Sequence, residues 1–509
     1  MRIATPLALL CALAFAASPV LAKPAPKPKP APAKATAKMV SPQSACNGTF
    51  SNGVQISVGA AVYMADVGFP YPAVKGVKAI GSADQTVCDL HTFAWNQFLY
   101  LTQGGATPRF MSMAPWYNVL TTGAQPGDYP GGSTELQTAY LDLNQAGDSD
   151  ELLDAAGNPV RYDIRFDENM YDSIKFQNLY SQAGYNSVCK PDATTGICAN
   201  NNIWMSPAGA NESPEPGSTE LKTAWRDFLT PENCPSTTYF CQGRFGLVGF
   251  HFVNKTFSHG EWIWASFEHV ANAPDCGPGG DTPIAQQSPA GAWSFFDPTT
   301  VPPGVMSSGM CSVTSPTPQC NTNPNPSNDG KTWVKVNVCR TDPISAGGAS
   351  TANCATTGSN NPGNVACLNA TIMPQLTGVW KNYKLVGTVW TSPSQGPNND
   401  FRISTFQTQV QGLPYPAPAG FIHLANTAIE TWLQMGATGY DPDGNNATQA
   451  GCFACHHEPS TATQVDLSHF PGKLPSATLA ALKSSLIPAK STAKPVSLVS
   501  PRKAMKASH

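Results

Sequence analysis

The chain has 509 residues, a formal net charge of -3 and a charged fraction of 12%, about half the usual share for a globular domain. Neither sign of charge dominates, which argues against nucleic acid as a partner. A hydrophobic share of 41% at this length is enough for one large core or two smaller ones.

The N-terminal end carries Arg2, an apolar run from Leu7 to Ala17 and then Val20-Leu21-Ala22. This pattern predicts a secretory signal peptide over residues 1–22, cut before Lys23. The run is shorter than the roughly 20 apolar residues of a membrane-spanning helix. No later stretch qualifies, so no transmembrane segment is expected and the destination is periplasmic or secreted. Cys11 lies inside the run and leaves with it. Residues 23–40 form a Pro/Ala/Lys-rich linker, a composition that favours extended, solvated backbone.

Helix and strand patterns then alternate, and predict an α+β fold: a large, mixed, strand-rich domain with amphipathic helices over residues 41–415. Leu90, Ala94, Phe98 and Leu101 recur at helical spacing. Val160, Tyr162, Ile164 and Phe166 alternate with Arg161, Asp163 and Arg165 after Gly157-Asn158-Pro159, which predicts a half-buried strand leaving a hairpin. Further strands are expected at Leu247–Val253, Trp262–Val270 and Trp333–Cys339. Between His251 and His269, the polar His251, Lys255, His259, Glu268 and His269 lie beside Trp262 and Trp264. That mixture resembles an active site, but His251 falls opposite Phe250 and Phe252 on a strand, where a satisfied structural histidine is the commoner role. No GxSxG, HExxH or phosphate-binding glycine loop accompanies it. Nearer the C-terminus, Ala425, Ile429, Trp432 and Leu433 form a helical stripe that Gly436 can end, and Asp441 to Asn445 reads as a turn. Residues 487–509 form a basic tail.

The chemistry sits in Cys452-Phe453-Ala454-Cys455-His456. This is the CxxCH pattern of covalent haem attachment. Two thiols at this spacing reach the two vinyl groups on one porphyrin edge, and the adjacent imidazole lies under the iron as proximal ligand. Residue frequencies predict the pattern by accident in fewer than about one chain in a hundred. The motif occurs once, so one covalent haem c is expected, with residues 416–486 as a small helical haem-attachment segment. His457 points away from the distal face. For the sixth ligand the only methionine after the motif, Met505, lies in the tail, and His469 is the preferred residue. Met435, His423 and an open or water-bound site are the alternatives.

Of the 15 cysteines, 12 remain after Cys11, Cys452 and Cys455, an even number that points to disulfides in an exported protein. Cys189 with Cys198, Cys234 with Cys241 and Cys311 with Cys320 are the close pairs.

Several segments carry a resemblance: AWNQFLYL at 94, RYDIRF at 161, ELKTAWR at 220, GLVGFHFVNKT at 246, GEWIWASFEHVANAP at 260, VWKNYKLVGTVW at 379 and LANTAIETW at 424, followed by GCFACHH. With these the chain resembles secreted bacterial cytochrome c family proteins that have a large N-terminal region and one C-terminal haem motif. The resemblance implies one continuous architecture ending in the haem segment, with the haem roles on Cys452, Cys455 and His456. The expected function is electron transfer with a redox partner protein. The alternative is a haem-dependent oxidoreductase, a peroxidase or oxygenase with an open distal site. No motif names a small-molecule substrate.

Overall fold

Alternating apolar side chains from distant parts of the chain converge on one antiparallel sheet, described here from a computed structural model. The structure describes residues 48–49, 55–56, 87–102, 107–132, 135–146, 151–194, 198, 203, 205, 217–256, 259–276, 288, 291–297, 337–340, 344, 362–391, 418–420, 425–434, 456 and 468–474. The predicted signal peptide, linker and tail, the Cys311 and Cys320 pair, the Asp441 turn, His423, Met435, Met505, Cys452 and Cys455 lie outside the described residues. Among the described residues, no helix is long and apolar enough to cross a membrane.

Gly48–Thr49 (β1) and Gln55–Ile56 (β2) pair with each other. The main sheet takes Ala114–Pro115 (β3), Val160–Phe166 (β4), Thr219–Asp227 (β5), Cys241–Gln242 (β6), Phe245–Thr256 (β7), His259–His269 (β8), Tyr383–Thr391 (β9) and Pro418–Gly420 (β10). Their order is β10-β9-β8-β7-β5-β4-β3, with β6 also paired to β7. The helices are Val87–Thr102 (α1), Trp116–Val119 (α2), Glu168–Phe176 (α3), Gln182–Cys189 (α4) and Pro362–Ile372 (α5). The chain is therefore α+β, built on a strand-rich antiparallel core.

Directly paired residues on antiparallel strands share a face, so the register sorts the side chains. Phe250 pairs with Phe267 and Phe252 with Ala265 on a face covered by helices. There Phe98 of α1 stacks on Phe267 at 4.1 Å between centroids, and Trp95 meets the same ring edge-on at 4.9 Å. Burial of such rings supplies about 1.5–3 kcal/mol each. The helix was expected to be amphipathic. Instead Phe93, Trp95, Gln97, Phe98, Leu99 and Leu101 are all buried, because α5 packs on α1 as well as the sheet strand β9.

The strand expected over Val160–Phe166 is present, and Gly157 turns into it with φ +85°. Asp154 Oδ1 accepts from the N–H groups of Ala156 and Asn158 at 2.8 and 2.7 Å and shapes that turn. Its polar face is not solvated, however. Asp163 and Arg165 are buried, ion-paired at 2.5 Å, and the Arg165 guanidinium also donates to the Met111 and Met113 carbonyls. The segment 109–113 covers them, which no alternation rule could reveal.

The strand expected at Leu247–Val253 lies within β7, and the one expected at Trp262–Val270 lies in β8 except for Val270, which is in the following turn. The strand expected over Trp333–Cys339 is described only from 337. Asn337, Val338 and Cys339 stand outside any strand, and Arg340 makes one parallel bridge to Asp275. A disulfide from Cys339 to Cys276 and a Val338 N–H bond to the Phe295 carbonyl bind this segment to loops instead. The helical stripe expected at 425–433 is also different: the segment forms turns and a short 3-10 helix, Thr431–Leu433. Asn426 accounts for this, because its side-chain oxygen accepts from Ala428 N–H at 2.9 Å while its own N–H donates to Glu430 Oε2 at 2.8 Å. Such local bonds compete with helix hydrogen bonding.

Disulfides join Cys189 to Cys198 and Cys234 to Cys241, as the spacing predicts, and Cys276 to Cys339, 63 residues apart, which it does not.

Candidate functional site

The other face of the sheet is covered by loops and by the C-terminal part of the chain. Tyr162, Ala224, Gly249 and Glu268 form one row on it, and Ile164, Lys222, His251 and Ser266 the next. The segment 425–434 lies over both. Ile429 approaches Gly249 so closely that a Cβ there would stand 3.0 Å from Ile429 Cγ1. Tyr162 donates its hydroxyl to the Ala428 carbonyl at 2.8 Å, and Asn426 Nδ2 donates to the Phe267 carbonyl at 2.8 Å. The described residues of the predicted haem segment are thus built onto the large sheet, and β10 adds to its edge.

Glu268 is the electrostatic centre of this cover. It is fully buried, ion-paired with Arg340, 3.4 Å from Lys384 Nζ, and accepts from the Thr427 hydroxyl at 2.7 Å. Burial alone would push its carboxyl up. Arg340, Lys384 and Thr427 outweigh that and bring it down to about 2. Arg340 in turn donates to the Ala425 carbonyl at 2.7 Å, so one guanidinium ties a strand carboxylate to the covering turn. His269 stacks on Tyr239 at 4.2 Å, and burial lowers its pKa to about 4. Lys255 stands over the Trp262 ring at 5.1 Å. His251 Nε2 lies 3.3 Å from Glu430 Oε2 on the same face.

Beside this cluster the structure brings together two of the residues singled out from sequence. The imidazoles of His456 and His469 meet edge to face, with ring centroids 4.4 Å apart. Trp264 of β8 lies 6.1 Å from His456. Phe470, next to His469, packs against Phe166 of β4 at 6.3 Å, and the Ser468 hydroxyl donates to Glu220 Oε2 of β5 at 2.6 Å. Burial raises the Glu220 carboxyl above its ordinary range, opposed by Ser468, Lys222 and Lys473. Lys473 pairs with Asp142 and pins the far end of this turn.

A haem held by two imidazoles finds suitable residues here. The rings converge, with Trp264 beside His456, and Phe470, next to His469 in the chain, packed on Phe166. His456 and His469 would hold the iron of such a group, which would supply a one-electron couple; at 4.4 Å between centroids the two rings touch, so binding between them would require side-chain rotation. Among the described residues, no group of three or more His, Cys, Asp or Glu forms a metal cluster. Sequence reasoning missed Glu220, Ser468 and Arg340, whose roles depend on segments more than 70 residues away in the chain. No protein-family model matches the chain, nor does any curated protein or solved structure.

Proposed function

We propose that the chain is an exported monohaem c-type cytochrome that transfers electrons, with the haem thioether-bonded to Cys452 and Cys455 and its iron held by His456 and His469. The observation that carries the reading is the CxxCH motif, with the contact of the His456 and His469 rings as independent support. The haem supplies a one-electron ferrous and ferric couple. The chain's own residues bind it by two thiols, orient it by two imidazoles and shield it from water with the Trp264 and Phe166 face. The disulfides among the described residues fit an oxidising compartment outside the cytoplasm, and a redox partner protein follows from the chemistry.

The test is spectroscopic. Purified protein should carry one haem that survives acid extraction, with a six-coordinate low-spin iron. Cys452→Ala or Cys455→Ala should remove one thioether and weaken retention. His469→Ala should give a high-spin spectrum with the haem still attached. Protein without covalent haem overturns the reading.

A second reading is a haem-dependent oxidoreductase with an open distal position. The observation that favours it is the His251 and Glu430 pair on the same sheet face as Trp264, an acid–base pair of the kind proton transfer uses. A high-spin wild type selects this reading.

A further inference from the structure

The register places Phe166, Glu220, Val253, Trp264 and Val389 in a single row across β4, β5, β7, β8 and β9, on the loop-covered face. Three contacts from the C-terminal part of the chain fall on this row. Phe470 meets Phe166, Ser468 meets Glu220, and His456 meets Trp264. The segment 468–470 therefore steps from β5 to β4 in sequence order, with His469 between its two anchors.

We propose that this row is the surface that sets His469 against His456, and that Glu220, acting through Ser468, is the positioning residue for His469. The proposal rests on the haem reading above. Its physical basis is the Ser468 hydroxyl, which donates to Glu220 Oε2 at 2.6 Å and accepts from the Phe470 N–H at 3.3 Å. One side chain thus bonds to the sheet on one side and to the backbone beyond His469 on the other. The Glu220 carboxylate is itself fixed, since its strand is paired on both edges, to Phe166 and to Val253. Groups that orient a ligating histidine from behind change metal affinity by about 10–100-fold when removed. On this account the sheet of the large domain serves to hold the sixth ligand in place.

The experiment uses the full-length holoprotein with Ser468→Ala, Glu220→Ala and Glu220→Gln. Covalent haem content should stay constant, because attachment uses Cys452 and Cys455. In Ser468→Ala and Glu220→Ala the population with His469 dissociated, read as high-spin iron, should rise about 10–100-fold. Amide hydrogen exchange over residues 468–474 should accelerate in the same two variants. Glu220→Gln keeps an oxygen acceptor for the Ser468 hydroxyl and should restore most of the low-spin signal. Unchanged spin state and exchange in both alanine variants overturns the proposal, as does a wild type that is already high-spin. If Glu220→Ala loses its cooperative thermal transition, Ser468→Ala decides alone. A wild type that carries no covalent haem refutes the haem reading instead, and the exchange measurement then still decides whether Glu220 and Ser468 dock the segment.

Discussion

Replacing Arg340 by Met should destabilise the protein by about 3–5 kcal/mol, because it strands a buried carboxylate. The structure supports that magnitude from two directions. Glu268 moves from an ordinary 4.5 to about 2 on folding, which corresponds to about 3 kcal/mol of favourable interaction with its ionised form at neutral pH, and Arg340 is the foremost of the attractive partners. The substitution also leaves the Ala425 carbonyl without its 2.7 Å donor, for about 1 kcal/mol more. Lys384 at 3.4 Å and the Thr427 hydroxyl remain and recover part of the loss. The informative comparison is the double variant Arg340→Met with Glu268→Leu. With no charge left to bury, it should be more stable than Arg340→Met alone by about 2 kcal/mol. Urea unfolding of the oxidised protein, followed by tryptophan fluorescence, measures both. The reasoning fails if Arg340→Met lies within about 1 kcal/mol of wild type, or if the double variant loses the sum of the two single changes.

Acid should weaken the fold through two buried histidines, offset in part by Asp167, whose carboxyl burial raises to about 7 so that the folded chain takes up its proton before the unfolded one does. Burial lowers His91 to about 3 and His269 to about 4, so below about 6.5 the unfolded chain takes up protons that the folded chain refuses. Each ring costs about 2 kcal/mol by pH 5, and the loss grows further as pH falls, joined by Glu268 below about 4.5. Among the described residues, neither ring nitrogen of His91 has a hydrogen-bond partner, so His91→Leu should raise stability at pH 7 and flatten the slope between pH 5 and 6.5 by about one proton; an unchanged slope in a pH series of urea midpoints counts against this. Removing the Cys276–Cys339 bridge by Cys276→Ala with Cys339→Ala should cost about 4 kcal/mol, against about 2.5 kcal/mol for the Cys189–Cys198 pair, because the loops closed span 63 and 9 residues; equal midpoints for the two double variants would refute the loop-length argument. Phe98→Ala should cost about 3–5 kcal/mol, since that ring contacts Phe250, Phe267 and Trp380 at once, and a loss below about 1 kcal/mol would show that the helix repacks.

On the proposed haem reading, the large sheet docks the turn that carries His469. On that reading Cys452, Cys455 and His456 would supply the attachment and one ligand within five consecutive positions. The second imidazole lies 13 residues on, in a turn held by Ser468 and Lys473 against residues from β5 and from the loop before β4. Gly249 serves the same end one row away. A side chain at that position would press on Ile429, which would have to shift by a few tenths of an ångström.

Features that depend on short spacing are legible in the chain before it folds. The CxxCH pattern is legible as a haem-attachment proposal because two thiols and an imidazole at that spacing could reach one porphyrin edge. The close pairs Cys189–Cys198 and Cys234–Cys241 close as expected because short loops keep their thiols near. The period-two run of β4 appears as a strand because alternate side chains on extended backbone face opposite ways. Which of those faces meet water is a property of the assembled fold. Asp163 and Arg165 alternate with apolar residues as a solvated face does, yet both are buried, because a segment 50 residues earlier covers them. Glu268 finds Arg340 and Thr427, Cys276 finds Cys339, and Glu220 finds Ser468 across 248 positions. Burial and pairing at such distances are set by the register of the sheet and the loops laid over it, and local sequence carries no record of either.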